Sequence, residues 1–339
     1  MLGALTIAGG GTVGVACAIE AARLGRHVVL YRRPRPPLHV VEALPPSSIG
    51  LLDALGVDWS TILLQGPFTE RWVAWEDEAP RLVQGAPAYH IVRSTVDAAL
   101  ERGLVASAHV TVVGHAPIGV APCVDATGRR SAYAVSRSRP RERWIARTCT
   151  WAHTTSDPRF FIAGTDAGYF YRLGGLGTMT LAFVGPGPLG LRSLDAILRH
   201  AEASGAGWLV RDLGSAPNAP TTARVASVQW GLHPAFGTIA IGDAALGKDA
   251  LSSSGLASGL SDAMYAASGD WDSLRRRQLS ELANHLRSLV THIDRARFSQ
   301  AQAWARYREW IANSAADLES GGQAQPGVVD SDTSSRADE

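Results

Sequence analysis

The chain has 339 residues, 32 basic and 31 acidic side chains and a net charge of +1. That length gives an ample core in one large or two joined domains, and near-zero charge argues against nucleic acid or an acidic surface as partner. Cys17, Cys123 and Cys149 form neither a CxxC pair nor a zinc pattern, so no metal and a reduced, cytoplasmic setting are expected; a glycine-broken N-terminus predicts neither signal peptide nor membrane span.

Leu5–Gly9 reads as a short buried strand. Gly9-Gly10-Gly11-Thr12-Val13-Gly14 follows, then a helical pattern to Leu24 with Gly25 at its end, then a second strand, His27–Tyr31. Strand, glycine turn, helix and strand are the setting in which G-x-G-x-x-G holds a dinucleotide. Gly9 permits the tight turn, Gly11 lets backbone approach a pyrophosphate, and Gly14 lets helix and strand pack closely. An acidic residue ordinarily closes the second strand and binds ribose hydroxyls. Tyr31 stands there instead, followed by Arg32 and Arg33. These arginines are placed to stack on adenine or pair with phosphate, or form a solvated basic turn.

Residues 41–57, VEALPPSSIGLLDALGV, read as a Pro-Pro turn and a helix, with Glu42 a polar head over a cofactor or part of an ordinary loop. Arg71–Asp77 alternates as a strand. Ser94-Thr-Val-Asp97 is a capping pattern for a helix ending at Gly103, so Arg93 sits at a helix start within reach of a phosphate or carboxylate. His109–Val113 and residues 120–125 are further strands, the second leading into ATGRRS. From Phe160, FFIAG, GYFYRL and TMTLAFVG predict three antiparallel strands divided by glycine-bearing turns. Ser193–Ser204 reads as a helix and Arg224–Leu232 as a strand. Tyr169, Tyr171 and Trp230 are candidates for a substrate wall, although a buried aromatic is more often core.

A second apolar run, Thr238–Ile241, ends on Gly242-Asp243 and feeds GDAALGKDALSSSG into a small-residue helix. Asp243 can accept hydrogen bonds from sugar hydroxyls, and the amides of Ser254, Gly255 and Leu256 form a positive helix end suited to an anion. Lys248 is the only lysine. Trp271–Ala316 predicts one or two long helices, and the polar residues 319–339 predict a disordered tail. No solenoid-length repeat is present.

GGGTVG, VEALPPSSIGLLDALG, the arginine of HIVRSTVDAAL, VDATGRRS and GDAALGKDALSSSGLASGL occur here in the order found in FAD-dependent monooxygenases of the para-hydroxybenzoate hydroxylase fold. Over most of residues 1–270 the chain resembles their tryptophan-halogenase-like branch, which includes the flavoproteins that mature tryptophylquinone enzymes. The resemblance implies an α/β fold: a Rossmann-like FAD-binding domain, an inserted antiparallel substrate sheet and C-terminal helices. It implies a discontinuous FAD-binding domain over 1–60, 90–135 and 235–270, a substrate domain over 61–89 and 136–234, and a helical segment over 271–318. Gly9, Gly11, Thr12 and Gly14 would cradle the pyrophosphate, with Tyr31, Arg32, Glu42 and Arg93 beside it. Gly242 and Asp243 would bind the ribityl chain. The Ser252–Leu256 turn, with Ser254, Gly255 and Leu256, would face the flavin ring, with Asp125 and Gly128 supporting the site from behind. Four departures stand out: Tyr31 for the ribose-binding acid, Ala250 for a proline, a short 103–125 segment, and Gly168–Leu173 in place of the halogenase WxWxIP motif.

The activity implied is hydroxylation of an electron-rich aromatic, a tryptophan or indole, free or peptide-bound. NAD(P)H would donate electrons directly or through a flavin reductase, and a substrate protein is a further candidate partner. Three rival readings stay open: a halogenase, with Lys248 as the one catalytic candidate; a non-catalytic flavoprotein-like binding partner; and a flavin reductase or dehydrogenase.

Overall fold

The computed structural model describes residues 4–62, 64–115, 121–153, 157, 159–175, 177–187, 190–213, 221–232 and 237–319. Residue 120 of the expected 120–125 strand and residues 320–339 of the expected tail lie outside the described residues. The chain begins β1 (Leu5–Ala8), α1 (Thr12–Arg23), β2 (Val28–Tyr31), β3 (Val41–Leu44), α2 (Pro46–Ala54), β4 (Leu64–Ala74), β5 (Arg81–Val92) and α3 (Arg93–Val105). It continues β6 (Val110–Val113), β7 (Val124–Asp125), β8 (Ser136–Ser138), β9 (Trp144–Ala152), β10 (Phe160–Thr165), β11 (Gly168–Gly175), β12 (Thr178–Pro186) and α4 (Leu194–Ala203). It ends β13 (Thr222–Val225), β14 (Gln229–Leu232), β15 (Ile239–Ala240), β16 (Leu246–Gly247), α5 (Gly255–Ser268), α6 (Trp271–Asp294) and α7 (Gln302–Glu319).

Five strands form a parallel sheet in the order β15-β7-β1-β2-β6. Its apolar strands are covered by helices, and Leu5, Ile7, Leu30 and Val124 are fully buried. Parallel order puts the C-terminal ends of β1, β7 and β15 side by side. The glycine turn after β1, the Asp125 turn after β7 and the Gly242-Asp243 turn after β15 therefore meet at one edge. Helices α1 and α5 pack tightly behind them because their facing residues are small. A Cβ on Gly259 would lie 2.5 Å from Val13 Cγ2, and one on Gly242 3.2 Å from the same side chain. Gly242 also needs its glycine for a φ of +58°.

The second sheet has the order β13-β9-β12-β11-β10-β4-β5-β3, antiparallel except for β10 against β4. The three expected strands from Phe160 are β10, β11 and β12. The sheet curls until edge strand β3 meets β12, where the Val41 amide donates to Thr180 Oγ1 at 2.9 Å. Along β11 the two-residue period divides the faces. Phe170 packs against the α4 side, whereas Tyr169 and Tyr171 join the aromatic layer beneath α6 and α7.

The structure revises several sequence expectations. Residues 41–44 are a strand of the second sheet, not only a turn, and β5 carries that sheet to Val92. Of residues 121–125, only Val124–Asp125 form strand. The single strand expected over 224–232 is two strands, and β14 belongs to a small separate sheet, β16-β14-β8. The C-terminal segment is two helices, and of their aromatic residues Trp304 and Tyr307 are core while Trp271 and Trp310 are partly buried. Trp304 is fully buried, its Nε1 donating to the Thr165 carbonyl at 2.7 Å. No helix among the described residues is long and apolar enough to cross a membrane.

The α1–α5 contact is tight enough to reverse a helix-propensity effect. Gly-to-Ala in a helix normally stabilises by up to ~1 kcal/mol. Gly259→Ala is expected to destabilise by about 1–2 kcal/mol because the new methyl overlaps Val13. A Val13→Ala, Gly259→Ala double variant is expected to lose less than the sum of the two single changes, read from urea midpoints.

Candidate functional site

A cleft of about 350 Å³ opens where the parallel sheet meets the curled one. Gly11 and Thr12 border it at the start of α1, Asp243, Gly255 and Leu256 at the turn after β15 and the start of α5, and the curled sheet supplies Tyr171. Two helix N-termini, those of α1 and α5, therefore border one space. Both present positive dipole ends to it.

The three fingerprint glycines do different work. Gly9 has φ +116°, and a Cβ there would lie 2.1 Å from the Ala126 carbonyl oxygen. A Cβ on Gly14 would lie 1.9 Å from the Gly9 carbonyl oxygen, so both are needed for folding. Gly11 is different: its Cβ would meet only the Arg35 guanidinium, at 3.7 Å. Its backbone is open to the cleft, as close approach by a phosphate requires.

A charged cluster is built beside that turn. Arg93 donates to Glu42 at 2.7 Å and to Thr12 Oγ1 at 2.6 Å, and its Nε lies 3.4 Å from Asp97. Thr12 in turn donates to Asp97, and Arg35 pairs with Asp97 at 3.1 Å. Burial alone would lower the Arg93 pKa, but Glu42 and Asp97 outweigh it and hold the guanidinium charged. Tyr171, whose phenol burial pushes up to about 12, lines the same cleft.

Behind the glycine turn lies a second crevice of about 360 Å³, lined by Gly9, Tyr31, Arg32, Thr127, Arg130 and Tyr133 among others. Arg32 lies across Gly10 and pairs with Glu101 of α3 at 2.5 Å. The missing acid at the end of β2 thus has a carboxylate nearby from another element. Asp125 is fully buried and accepts from the Thr127 amide at 2.9 Å and the Tyr133 amide at 3.2 Å, shaping the turn between crevice and cleft.

At the turn after β15, Asp243 pairs with Arg129 Nε at 3.3 Å and keeps its carboxylate partly exposed. Gly242 donates its amide to buried Asp262 at 2.9 Å. Gly255 and Leu256 border the cleft, and Ser254 borders an adjoining cavity instead. Lys248 also borders the cleft, but its ammonium is occupied. It donates to Glu281 at 2.5 Å, Ser258 at 2.5 Å and Ser254 at 3.1 Å, using all three protons.

The sequence reading missed Asp249. Its carboxylate is 2% exposed and accepts from Tyr307 at 2.8 Å, Tyr169 at 3.1 Å and the Leu251 amide at 3.0 Å. Its own amide donates to His285 Nε2 at 3.2 Å. Desolvation raises the Asp249 pKa against the pull of those donors and holds both tyrosines neutral. No local signal marks this set, because its members come from residues 169, 249, 285 and 307. Of the proposed substrate-wall aromatics, Tyr171 borders the cleft. Tyr169 reaches it while tied to Asp249. Trp230 lies away from it, 5.6 Å from Trp310 between ring centroids.

No family model and no curated protein sequence matches the chain. Solved structures do match by shape. A peptidyl tryptophan dihydroxylase described as essential for tryptophylquinone cofactor biogenesis, QhpG, aligns at 20% identity and a TM-score of 0.63, covering 95% of this chain and 76% of that one. The myxobacterial chondrochloren halogenase CndH, a variant of FAD-dependent halogenases, aligns at 17% identity and 0.71, covering 94% and 89%. PqsL of Pseudomonas aeruginosa, a probable FAD-dependent monooxygenase by its description, aligns at 16% and 0.59, covering 95% and 97%. The chain has the fold these proteins share.

His285 supplies a pH signature. Its folded pKa, depressed to about 4 by burial and by Lys248 and Arg129 against the opposing Glu281, lies below the ordinary 6.5. As pH falls below 6.5 the unfolded chain gains a proton that the folded state refuses, so stability drops until about pH 4. The expected loss is about 3 kcal/mol, measured as unfolding free energy at pH 7 and pH 4. His285→Gln, which cannot titrate, is expected to lack it.

Proposed function

We propose that this protein is an FAD-dependent monooxygenase that hydroxylates an electron-rich aromatic ring, with tryptophan or another indole, free or in a peptide, as first candidate. The observation that carries the reading is that two turns 230 residues apart, one glycine-rich and one led by Asp243, line a single cleft. In this reading the Gly11 backbone and the α1 N-terminus hold the pyrophosphate, beside the paired guanidinium groups of Arg35 and Arg93. The crevice behind Gly9, with Tyr31 and Arg32, takes the adenosine. Asp243 accepts from ribityl hydroxyls, and the Gly255 and Leu256 amides face the ring system. Bound there, FAD supplies two-electron redox chemistry and the activation of dioxygen.

The protein's own share is binding, orientation and exclusion of water. The Arg93–Glu42–Asp97–Thr12 cluster fixes charge next to the glycine turn before any ligand arrives, so little reorganisation is needed. The Glu42 and Arg93 side chains are paired at 2.7 Å, leaving the helix ends to set the field at the cleft. Two electrons from NAD(P)H and one dioxygen give one ring hydroxyl and one water. We place NAD(P)H as donor, directly or through a flavin reductase, and a small aromatic, a peptide or a substrate protein as partner. We also propose the discontinuous division into an FAD-binding part (1–60, 90–135, 235–270), a substrate part (61–89, 136–234) and a helical segment (271–318), and a cytoplasmic location.

Halogenation is the second reading, favoured by the shape match to CndH. Against it stands Lys248, whose ammonium is bound to Glu281, Ser254 and Ser258 rather than turned free into the cleft.

Two results test this. Purified protein reconstituted with FAD is expected to show oxidised-flavin absorbance. Gly11→Val is expected to fold normally, since its side chain enters open cleft, yet to lose FAD affinity at least tenfold; unchanged affinity would remove the pyrophosphate assignment. With indole-bearing substrates, NAD(P)H and, where needed, a reductase, the product is expected to gain the mass of oxygen with or without halide. Lys248→Met leaves Glu281 still paired with Arg277 at 2.9 Å and is expected to lower stability by about 1–2 kcal/mol, while the product stays the same.

A further inference from the structure

A second cavity of about 270 Å³ adjoins the cleft across a partition made by Phe160 and Leu251–Ser253. It lies against the β4–β5 pair. Phe68, Ala86, Ala88 and Pro45 give it an apolar lining; Ser252–Ser254 border it on the partition side, and the β4–β5 pair contributes three polar residues, Glu70, Arg71 and His90. Two of these are already engaged. Glu70 is paired with Arg159 at 2.9 Å, and the Arg71 guanidinium donates to the Ala86 carbonyl at 2.9 Å.

His90 is the third, and it is only 1% exposed. Its Nδ1 lies 2.9 Å from the Gly174 carbonyl oxygen. A carbonyl only accepts, so Nδ1 carries the proton and Nε2 carries a lone pair. Nε2 has no hydrogen-bond partner among the described residues, and the ring packs against Phe68 at 4.8 Å between centroids. Burial lowers the His90 pKa, which keeps the ring neutral at pH 7. The cavity therefore offers apolar walls, a volume suited to one or two fused rings, and a buried histidine whose Nε2 is left as an acceptor.

From the tautomer forced by Gly174 and the cavity beside Phe68, we infer that His90 Nε2 accepts a hydrogen bond from the ring N–H or O–H of an aromatic substrate, selecting indoles and phenols over rings without a donor. This inference rests on the monooxygenase reading and names a specificity-determining residue for it. The hydrogen bond leaves the proton on the ring. It strengthens as the ring gives up electron density, so it favours the transition state over the ground state. A buried acceptor left unpaired penalises a ring lacking the donor, and such penalties discriminate more strongly than shape alone.

The test uses the full chain and two isosteric probes, indole and benzofuran, with binding followed by ligand-detected NMR. Wild-type protein is expected to prefer indole about tenfold. His90→Phe is expected to bring the ratio close to one. His90→Gln, whose amide keeps a donor for Gly174 and an acceptor for the cavity, is expected to retain most of it. The ¹⁵N resonance of His90 Nε2, readable without any substitution, is expected to move on addition of indole and to stay with benzofuran. Equal binding of the two probes by wild-type protein, an Nε2 signal indifferent to indole, or a preference unchanged in His90→Phe each overturns the assignment. FAD titration of the same samples separates the two ideas. Protein that binds FAD without preferring indole overturns the role of His90 alone, whereas protein that prefers indole but never takes up FAD supports that role and overturns the flavin reading.

Discussion

A single buried carboxylate joins the parts of this molecule. Asp249 sits between the Asp243 turn and helix α5. Its oxygens accept from Tyr169 of the curled sheet and Tyr307 of the last helix, and its amide donates to His285 of α6. A carboxyl group withdrawn from water is tolerated only when its oxygens are met by hydrogen-bond partners, so these elements are held in one arrangement. The C-terminal helices for this reason back the cleft wall, tied to Asp249, which lines it. Trp304, packed against Trp144 at 4.5 Å and Phe298 at 5.0 Å, fills the layer behind the tyrosines.

The cleft is pre-charged in a balanced way. On the glycine side, Arg35 and Arg93 face Glu42 and Asp97; on the other side Arg129 faces Asp243. Side-chain charge largely cancels, and the residual field comes from two helix N-termini, which attract anions with no side-chain entropy to lose. Lys248 follows the same rule: nearly buried at 7% exposure, it is matched by Glu281 and two serine hydroxyls.

The adjoining cavity differs in kind. Its most buried polar group is one histidine ring, whose protonation is set by a backbone carbonyl. A site of this type discriminates by the penalty for leaving its acceptor unmet, not by charge.

Much was legible in the order of residues. Glycine spacing after an apolar run, the Gly-Asp turn before a small-residue helix, and the alternation from Phe160 onward are local patterns, because a turn or a strand face is dictated by neighbours in sequence. They fixed the parallel sheet's first unit, the three central antiparallel strands and the α/β class. Other features depended on distant pairing. That residues 41–44 form a sheet edge follows from β5 and Thr180 being nearby, and the ends of residues 224–232 went to different sheets for the same kind of reason. Trp230 and Tyr171 look alike as aromatics in strands, yet one faces Trp310 and the other the cleft, since strand register, not composition, assigns a face. The roles of His90, Asp249 and Lys248 were likewise decided by partners 84, 58 and 33 residues away. Local sequence sets backbone conformation, whereas the state of a buried polar atom is set by whatever the fold brings against it.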